Sequence, residues 1–298
     1  MKYRTLGSTG MKISVIGIGT WQLGGEWGKD YTQDEADAIL SSAKDCGINF
    51  IDTAECYGDH TSESLIGNHI KDSREDWILA TKFGHKFHSF LDRTEEWEAN
   101  QVQEQLEESL KALRTDRIDL YQFHSGKDEV FQNDELWSML SKQKEAGKIL
   151  HLGISISGNY KTLLQIEEAK DVGAEAIQVI YNRLDKIPEK KIFPLCIKNN
   201  LGVLARVPLA SGFLSGKYKT GDSFTNPNDV RSRREQKEID SQLQEVAKIQ
   251  KEELPEDIPI AQWALGWCLQ HEAVTCVIPG CKNADQVKNN AGAANLDI

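Results

Sequence analysis

Eight short apolar runs punctuate the chain: VIGIG from Val15, INFI from Ile48, ILA from Ile78, IDLYQF from Ile118, ILHLGIS from Ile149, AIQVI from Ala176, GVLARV from Gly202 and TCVIP from Thr275. Runs this short and this apolar read as strands buried on both faces of a sheet. Between them the period changes to helical. Ala36, Ile39, Leu40 and Ala43 share one face, and so do Val102, Leu106, Leu110 and Leu113. Thr32 followed by Glu35 spells a capping box at the start of the first such helix.

Strand and helix alternate with no linker rich in Pro, Gly or Ser, so residues 1–298 read as a single parallel α/β domain. Eight repeats of the unit predict a closed (β/α)8 TIM barrel. The doubly wound alternative would use a glycine-rich turn opening a helix after the first strand, and no GxGxxG stands there. Two segments depart from the repeat. Residues 2–14 read as a β-hairpin around Ser8–Gly10, placed to plug the lower end of the barrel. Between the seventh and eighth strands lies an insertion, about Gly212 to Pro255, too long and too polar for a plain connector.

Charge and cysteine content narrow the partners. Lys plus Arg is 35 against 46 for Asp plus Glu, a formal net charge of −11, the wrong sign for a nucleic-acid or anionic-membrane binder. An anionic ligand must therefore be held by local donors. The six cysteines show no CxxC pair and no framework spacing, which fits reduced thiols and a cytoplasmic location. No run approaches the roughly 18 apolar residues of a membrane span, and the N-terminus has no apolar leader. No obligate protein partner is implied.

A barrel of this kind builds its site from residues at the C-terminal ends of its strands. Those ends carry Asp52 with Tyr57 a few residues beyond, Lys82 in LATKFG, and His124 in LYQFHSG. Lys and Asp are rarely buried unless paired, so their joint appearance at inaccessible strand ends points to a site. A phenol titrates near pH 10, and a neighbouring ammonium lowers that value. The expectation is that Asp52 holds Lys82, Lys82 brings the Tyr57 phenol toward neutrality, and His124 bonds a substrate oxygen.

The words GTWQLGG, NFIDTAECYG, ATKFG, DLYQFH, HLGIS, PLASGFLSGKY and VIPG occur in the order found in aldo-keto reductases, and the chain resembles that family over nearly its whole length. The resemblance implies reversible hydride transfer between NADP(H) and an aldehyde or ketone, a small carbonyl substrate. It places the catalytic tetrad on Asp52, Tyr57, Lys82 and His124, with Tyr57 as general acid. Ser155 and Gln178 fall where the family contacts the nicotinamide amide; Ile156, Ser157 and Asn159 follow where the family usually has Asn after the serine. Gly19, Thr20 and Trp21 resemble the first-strand loop that touches cofactor and walls the substrate pocket. Arg206 stands where many members stack an aromatic ring on the nicotinamide. Leu209, Ser211, Gly212, Leu214, Gly216 and Lys217 resemble a pyrophosphate cradle. Gly280, Lys282, Gln286, Asn289 and Asn290 resemble the adenosine-phosphate segment, with helix-start amides beside them. The sequence ends at Ile298 soon after the last helix, which implies an open, permissive pocket.

Three rival functions remain to be weighed against this one. A Schiff-base aldolase would use Lys82 as nucleophile. A metal-dependent hydrolase would use His85, His88 and His124 but lacks a His-x-His at the first strand. A cofactor-binding regulatory subunit would keep the cleft and turn over little.

Overall fold

In the computed structural model, which describes residues 1–158 and 163–296, two hairpin strands, β1 (Tyr3–Thr5) and β2 (Lys12–Ser14), precede β3 (Ile18–Gly19), β4 (Phe50–Asp52) and β5 (Ile78–Phe83). A second hairpin, β6 (His85–Ser89) and β7 (Asp92–Glu95), separates these from β8 (Ile118–His124), β9 (Ile149–Ser155), β10 (Ala174–Ile180), β11 (Gly202–Arg206) and β12 (Val274–Val277). The eight strands of the main sheet lie in the order β3-β4-β5-β8-β9-β10-β11-β12, every neighbouring pair parallel. The two ends of the sheet meet where Ile16 bridges Val277 and Gly19 bridges Gly280. There the Gly17 amide donates to the Val277 carbonyl at 2.8 Å, and the Val277 amide to the Val15 carbonyl at 3.0 Å. This is the (β/α)8 barrel expected from the alternation.

The strand period of two sorts the interior into layers. The lower layer is apolar: Phe50, Ala80, Leu120, Ala176, Leu204 and Cys276, with Leu6 and Ile13 of the first hairpin packed into it. The plug can press this close because Gly7 adopts φ +52°, and a Cβ there would lie 2.2 Å from the Gly202 amide nitrogen. Two residues further along the same strands stand Asp52, Lys82, Gln122, Gln178 and Arg206. The polar layer therefore sits directly on the apolar one. Residues of the opposite parity, such as Tyr121 and Phe123, face outward into the main core against the helices.

The predicted helix faces are buried at Ala36, Ile39, Leu40 and Ala43 and at Val102, Leu106, Leu110 and Leu113. The Thr32–Glu35 capping box forms with both of its hydrogen bonds. The β6–β7 hairpin was not expected, because HKFHSF follows β5 so closely that it reads as loop. The insertion after β11 holds a helix, Gln236–Glu252, whose Ile239, Leu243, Val246 and Ile249 pack with Phe213, Leu214 and Trp263 in a satellite core. All six cysteines are free. Among the described residues no helix is long and apolar enough to cross a membrane. Asn159 and Ile298 lie outside the described residues.

Candidate active site

Each tetrad position is delivered by a strand end. Phe50 and Ile51 bury β4 and leave Asp52 as its last residue, where it pairs in register with Gly19 on one side and Ala80 on the other. The turn that follows carries Tyr57. Gly58 takes φ +69°, and its absent Cβ would lie 2.5 Å from the Gly24 carbonyl oxygen. Only glycine fits that turn, which locks the tyrosine loop against the first-strand loop. Tyr57 then stacks on Trp21, centroids 6.1 Å apart, and meets the His124 ring edge-on at 6.3 Å.

Lys82 spends its three N–H donors within this site. Nζ donates to Asp52 Oδ1 at 2.7 Å, to the Thr53 carbonyl at 2.6 Å and to the Tyr57 hydroxyl at 3.3 Å. The lysine is 0 % exposed, a charge that only a paired acid makes tenable. Burial works against that charge, but Asp52 and then Tyr57 hold its pKa above the ordinary value. Burial also holds the His124 imidazole well below its usual range, with Lys82 and His85 adding to the effect, so it is neutral at pH 7. The Cys56 thiol lies 3.9 Å from His124 Nδ1.

The expected electrostatics of Tyr57 need correction. Burial, offset in part by Lys82 and reinforced by Asp52 and Cys56, pushes the phenol up to about 12. Desolvation of the phenolate outweighs one ammonium that is already shared with a carboxylate. The phenol is therefore a fully protonated donor at neutral pH.

In the same layer as Asp52 and Lys82 stands Gln122, which the sequence pattern did not single out. Register sets it beside Lys82 on one strand and Gly153 on the other. Its Nε2 donates to Asp52 Oδ2 at 2.9 Å, and its Oε1 accepts from Gln178 Nε2 at 3.1 Å. Gln178 Nε2 also donates to Asp52 Oδ2 at 2.7 Å, and Ser155 Oγ donates to Gln178 Oε1 at 3.4 Å. Stepping two residues from Leu120 along β8, as from Phe50 to Asp52 or Ala80 to Lys82, would have found it.

A cleft of about 320 Å³ opens beside this layer. Of the positions assigned to cofactor, Gly19, Thr20, Trp21, Gln178, Arg206, Leu209, Ser211, Gly212, Lys217, Gly280, Lys282, Gln286, Asn289 and Asn290 line it. Leu214 does not, being 0 % exposed in the satellite core. Gly216 closes the short helix there, with Ile260 beside its Cα. Ser155 is buried behind Gln178. The helix Ala284–Gly292 offers fewer free amides than expected, since Asn283 Oδ1 accepts the Gln286 amide at 2.9 Å. Arg206 Nη2 donates to the Ile156 carbonyl at 3.2 Å.

Trp27, Tyr218 and Arg231 also line the cleft; Tyr218 ends the word PLASGFLSGKY and Arg231 lies in the long insertion, but no sequence signal marked them one by one. Arg231 is buried, bonded bidentately to Asp229 at 2.9 and 2.7 Å, and flanked by Phe224, Tyr218 and Trp27. Its segment crosses to the first-strand loop: the Gly28 amide donates to the Asn228 carbonyl at 2.9 Å, and the Val230 amide to the Glu26 carbonyl at 3.2 Å. The insertion thus straps across the cleft. After β11 the backbone is strained, with Val207, Ala210 and Ser211 at φ 56°, 49° and 59°. Four cationic side chains, Arg206, Lys217, Arg231 and Lys282, line a cleft in an acidic protein. That donor set fits an elongated anion such as a nicotinamide dinucleotide.

The rival chemistries fit poorly. A Schiff-base lysine needs a free amine, whereas the Lys82 charge is stabilised and all three of its donors are engaged. His88 sits exposed on the second hairpin with Thr94, and His85 Nε2 donates to the His124 carbonyl at 2.7 Å. These three histidines do not face a common point.

A sequence profile of the Aldo/keto reductase family matches residues 15–298. Aldo-keto reductase yakc (NADP+) of Schizosaccharomyces pombe is 32% identical over 301 residues, covering 96% of this chain and 85% of that protein. The NADH-specific methylglyoxal reductase of Escherichia coli is 28% identical over 317 residues, covering 100% and 95%. Among solved structures, the holo form of aldo-keto reductase AKR11C1 from Bacillus halodurans superposes with a TM-score of 0.83 at 31% identity, covering 100% of this chain and 92% of that one.

Proposed function

Because the chain belongs to the aldo/keto reductase family, we propose that it reduces aldehydes or ketones to alcohols with NADP(H), Tyr57 giving the proton. The observation that carries this reading is Lys82 Nζ set between Asp52 Oδ1 at 2.7 Å and the Tyr57 hydroxyl at 3.3 Å, beside a neutral imidazole.

The nicotinamide supplies the hydride, and the protein supplies orientation, a proton and an electrostatic setting. Tyr57 OH donates to the carbonyl oxygen as charge builds there, and Lys82 stabilises the phenolate left behind. Asp52 keeps Lys82 charged and aimed. The neutral His124 donates a hydrogen bond to the same oxygen without competing for the proton. Trp21, stacked on Tyr57, walls the substrate side and excludes water.

Lys217, Lys282 and Arg231 would hold the phosphates, Gly212 and the strained backbone around it would cradle the pyrophosphate, and Gln178 would take the carboxamide. The relative in S. pombe carries NADP+ in its name and the one in E. coli NADH, so the choice rests on this chain's own lysines. A point charge at Lys282 suits a dianionic 2′-phosphate better than a hydroxyl.

The test is a panel of aldehydes, ketones and sugars assayed with NADPH and NADH. Turnover with NADPH that vanishes in Tyr57→Phe is the expected result. Tight cofactor binding with negligible turnover across the panel would favour the regulatory-subunit reading instead.

A further inference from the structure

We propose that Gln122 is a positioning residue that ties the cofactor-facing amide of Gln178 to the carboxylate of Asp52, so that one hydrogen-bonded unit sets both the nicotinamide end and the proton donor. This inference rests on the reading of the cleft as a nicotinamide site.

The geometry is specific. Both polar ends of the Gln122 amide are used, Nε2 on Asp52 at 2.9 Å and Oε1 under Gln178 Nε2 at 3.1 Å. Gln122, Gln178 and Asp52 are 0 %, 1 % and 3 % exposed, so water cannot replace a lost partner cheaply. An interior barrel position filled for packing alone would carry a branched apolar side chain, as Leu120 does one layer below.

Orientation is the consequence. Gln178 sends both hydrogens of its amide into the protein, one to Asp52 at 2.7 Å and one to Gln122 at 3.1 Å. Its oxygen, touched only lightly by Ser155 at 3.4 Å, is thereby the end left to serve an incoming N–H donor. The carboxamide of nicotinamide carries such a donor. Without the Gln122 acceptor, Gln178 keeps only its bond to Asp52, and one anchor aims the amide less firmly than two. Asp52 is the second output. Its Oδ2 receives both glutamines while Oδ1 receives Lys82. Removing one donor leaves the carboxylate to draw Lys82 closer and away from Tyr57.

Gln122→Met removes the unit and Gln122→Glu rebuilds it. Quenching of Trp21 and Trp27 fluorescence would give dissociation constants for NADP+ and for 2′-phospho-ADP-ribose, which lacks the nicotinamide. In Gln122→Met, NADP+ should bind about 3–10-fold more weakly, the effect of one or two lost neutral hydrogen bonds, with the truncated ligand unchanged. Its reduction rate should also lose activity at a higher pH than wild type, because the phenol is less assisted by Lys82. The groups facing Tyr57 are Lys82 on β5, Asp52 on β4, Cys56 on its own turn and His124 on β8; none is altered. Gln122→Glu sets a second carboxyl where the Gln122 amide nitrogen now lies 2.9 Å from Asp52 Oδ2, and the pair shares a proton, so it keeps an acceptor for Gln178 and a donor to Asp52 and should restore both NADP+ affinity and the pH profile. Equal weakening of both ligands, or of neither, would overturn the proposal, as would an unmoved pH profile in Gln122→Met. If the unmutated chain binds the truncated ligand as tightly as NADP+, the nicotinamide reading itself falls and takes this inference with it.

Discussion

The two ends of the cleft are built differently. At the tetrad end every functional side chain comes from a strand terminus or the turn next to it, and Lys82 and Asp52 are both buried in a closed hydrogen-bond network. At the phosphate end the cations come from loops, a helix start and the insertion. Lys217 and Lys282 are exposed there, and Arg231 is held by its own segment. Strands paired on both sides fix atoms to fractions of an ångström; loops fix charge but leave motion. Under the proposed function the tetrad end is the place for chemistry, and the strapped end the place where cofactor enters and leaves. Perturbing one end should not reproduce the effects of perturbing the other.

The largest expected effect is at the tetrad. Tyr57→Phe should lower turnover by roughly 10²–10⁴-fold, the usual worth of general acid catalysis, while cofactor affinity stays within about two-fold. Retention of half the wild-type turnover would remove Tyr57 from the proposed role. Lys82→Met strikes the same network through stability. It leaves Asp52 as an uncompensated buried carboxylate, and the unfolding free energy from urea titration should fall by about 3–5 kcal/mol. The sign of its pH effect also follows. Lys82 lowers the phenol's pKa against burial, so without it the value rises above about 12 and any residual reduction persists to higher pH. A residual activity that declines at lower pH than wild type would contradict the assigned role of Lys82.

This contrast also explains what was legible in the sequence. The barrel, its plug and the four tetrad positions follow from apolar runs ending at or beside Asp52, Lys82 and His124, with Tyr57 in the turn after the first, because strand period and strand end are local properties of the chain. Gln122 was legible in principle, two residues past Leu120, but a glutamine inside IDLYQFH looks like one polar interruption until register sets it against Lys82. The titration of Tyr57 was misjudged because a sequence names the ammonium nearby but not the depth of burial that outweighs it. Arg231 and Trp27 lie far apart in the chain, and only the folded insertion brings them together. The β6–β7 hairpin was obscured for a related reason: Phe87 is the one apolar residue of HKFHS, and every position of that strand is half-buried or exposed.

At the phosphate end a smaller and more selective effect is expected. Lys282→Ala should reduce kcat/KM with NADPH by about 1.5–3 kcal/mol, the worth of a charge-assisted hydrogen bond, and leave the NADH value unchanged. Loss for both cofactors would place Lys282 on the shared pyrophosphate, and loss for neither would place the 2′-phosphate elsewhere. In Lys282→Ala the pH dependence set by Tyr57 should be unmoved, since Lys282 is not among the groups that shift the phenol.

The smallest effect tests the strap itself. Arg234 is half-buried; its Nη2 donates to Ser211 Oγ at 2.8 Å, and its guanidinium lies 5.4 Å from the Phe213 ring centre. It therefore pins the strained turn at Ser211 from the insertion side, next to the segment that crosses to Glu26 and Gly28. Arg234→Ala removes two hydrogen bonds, to Ser211 Oγ and to Gln242 Oε1 at 3.3 Å, and some packing at a partly exposed site, about 0.5–1.5 kcal/mol. Because the turn can still form, that loss should appear in how long the strap stays down. Stopped-flow fluorescence should show cofactor dissociation about 2–10-fold faster, with association nearly unchanged. If cofactor release limits turnover, kcat rises by a similar factor while the hydride step in a single turnover keeps its rate. A slower hydride step in Arg234→Ala would mean that the insertion reaches into the tetrad's geometry. The separation of the two ends would then be wrong.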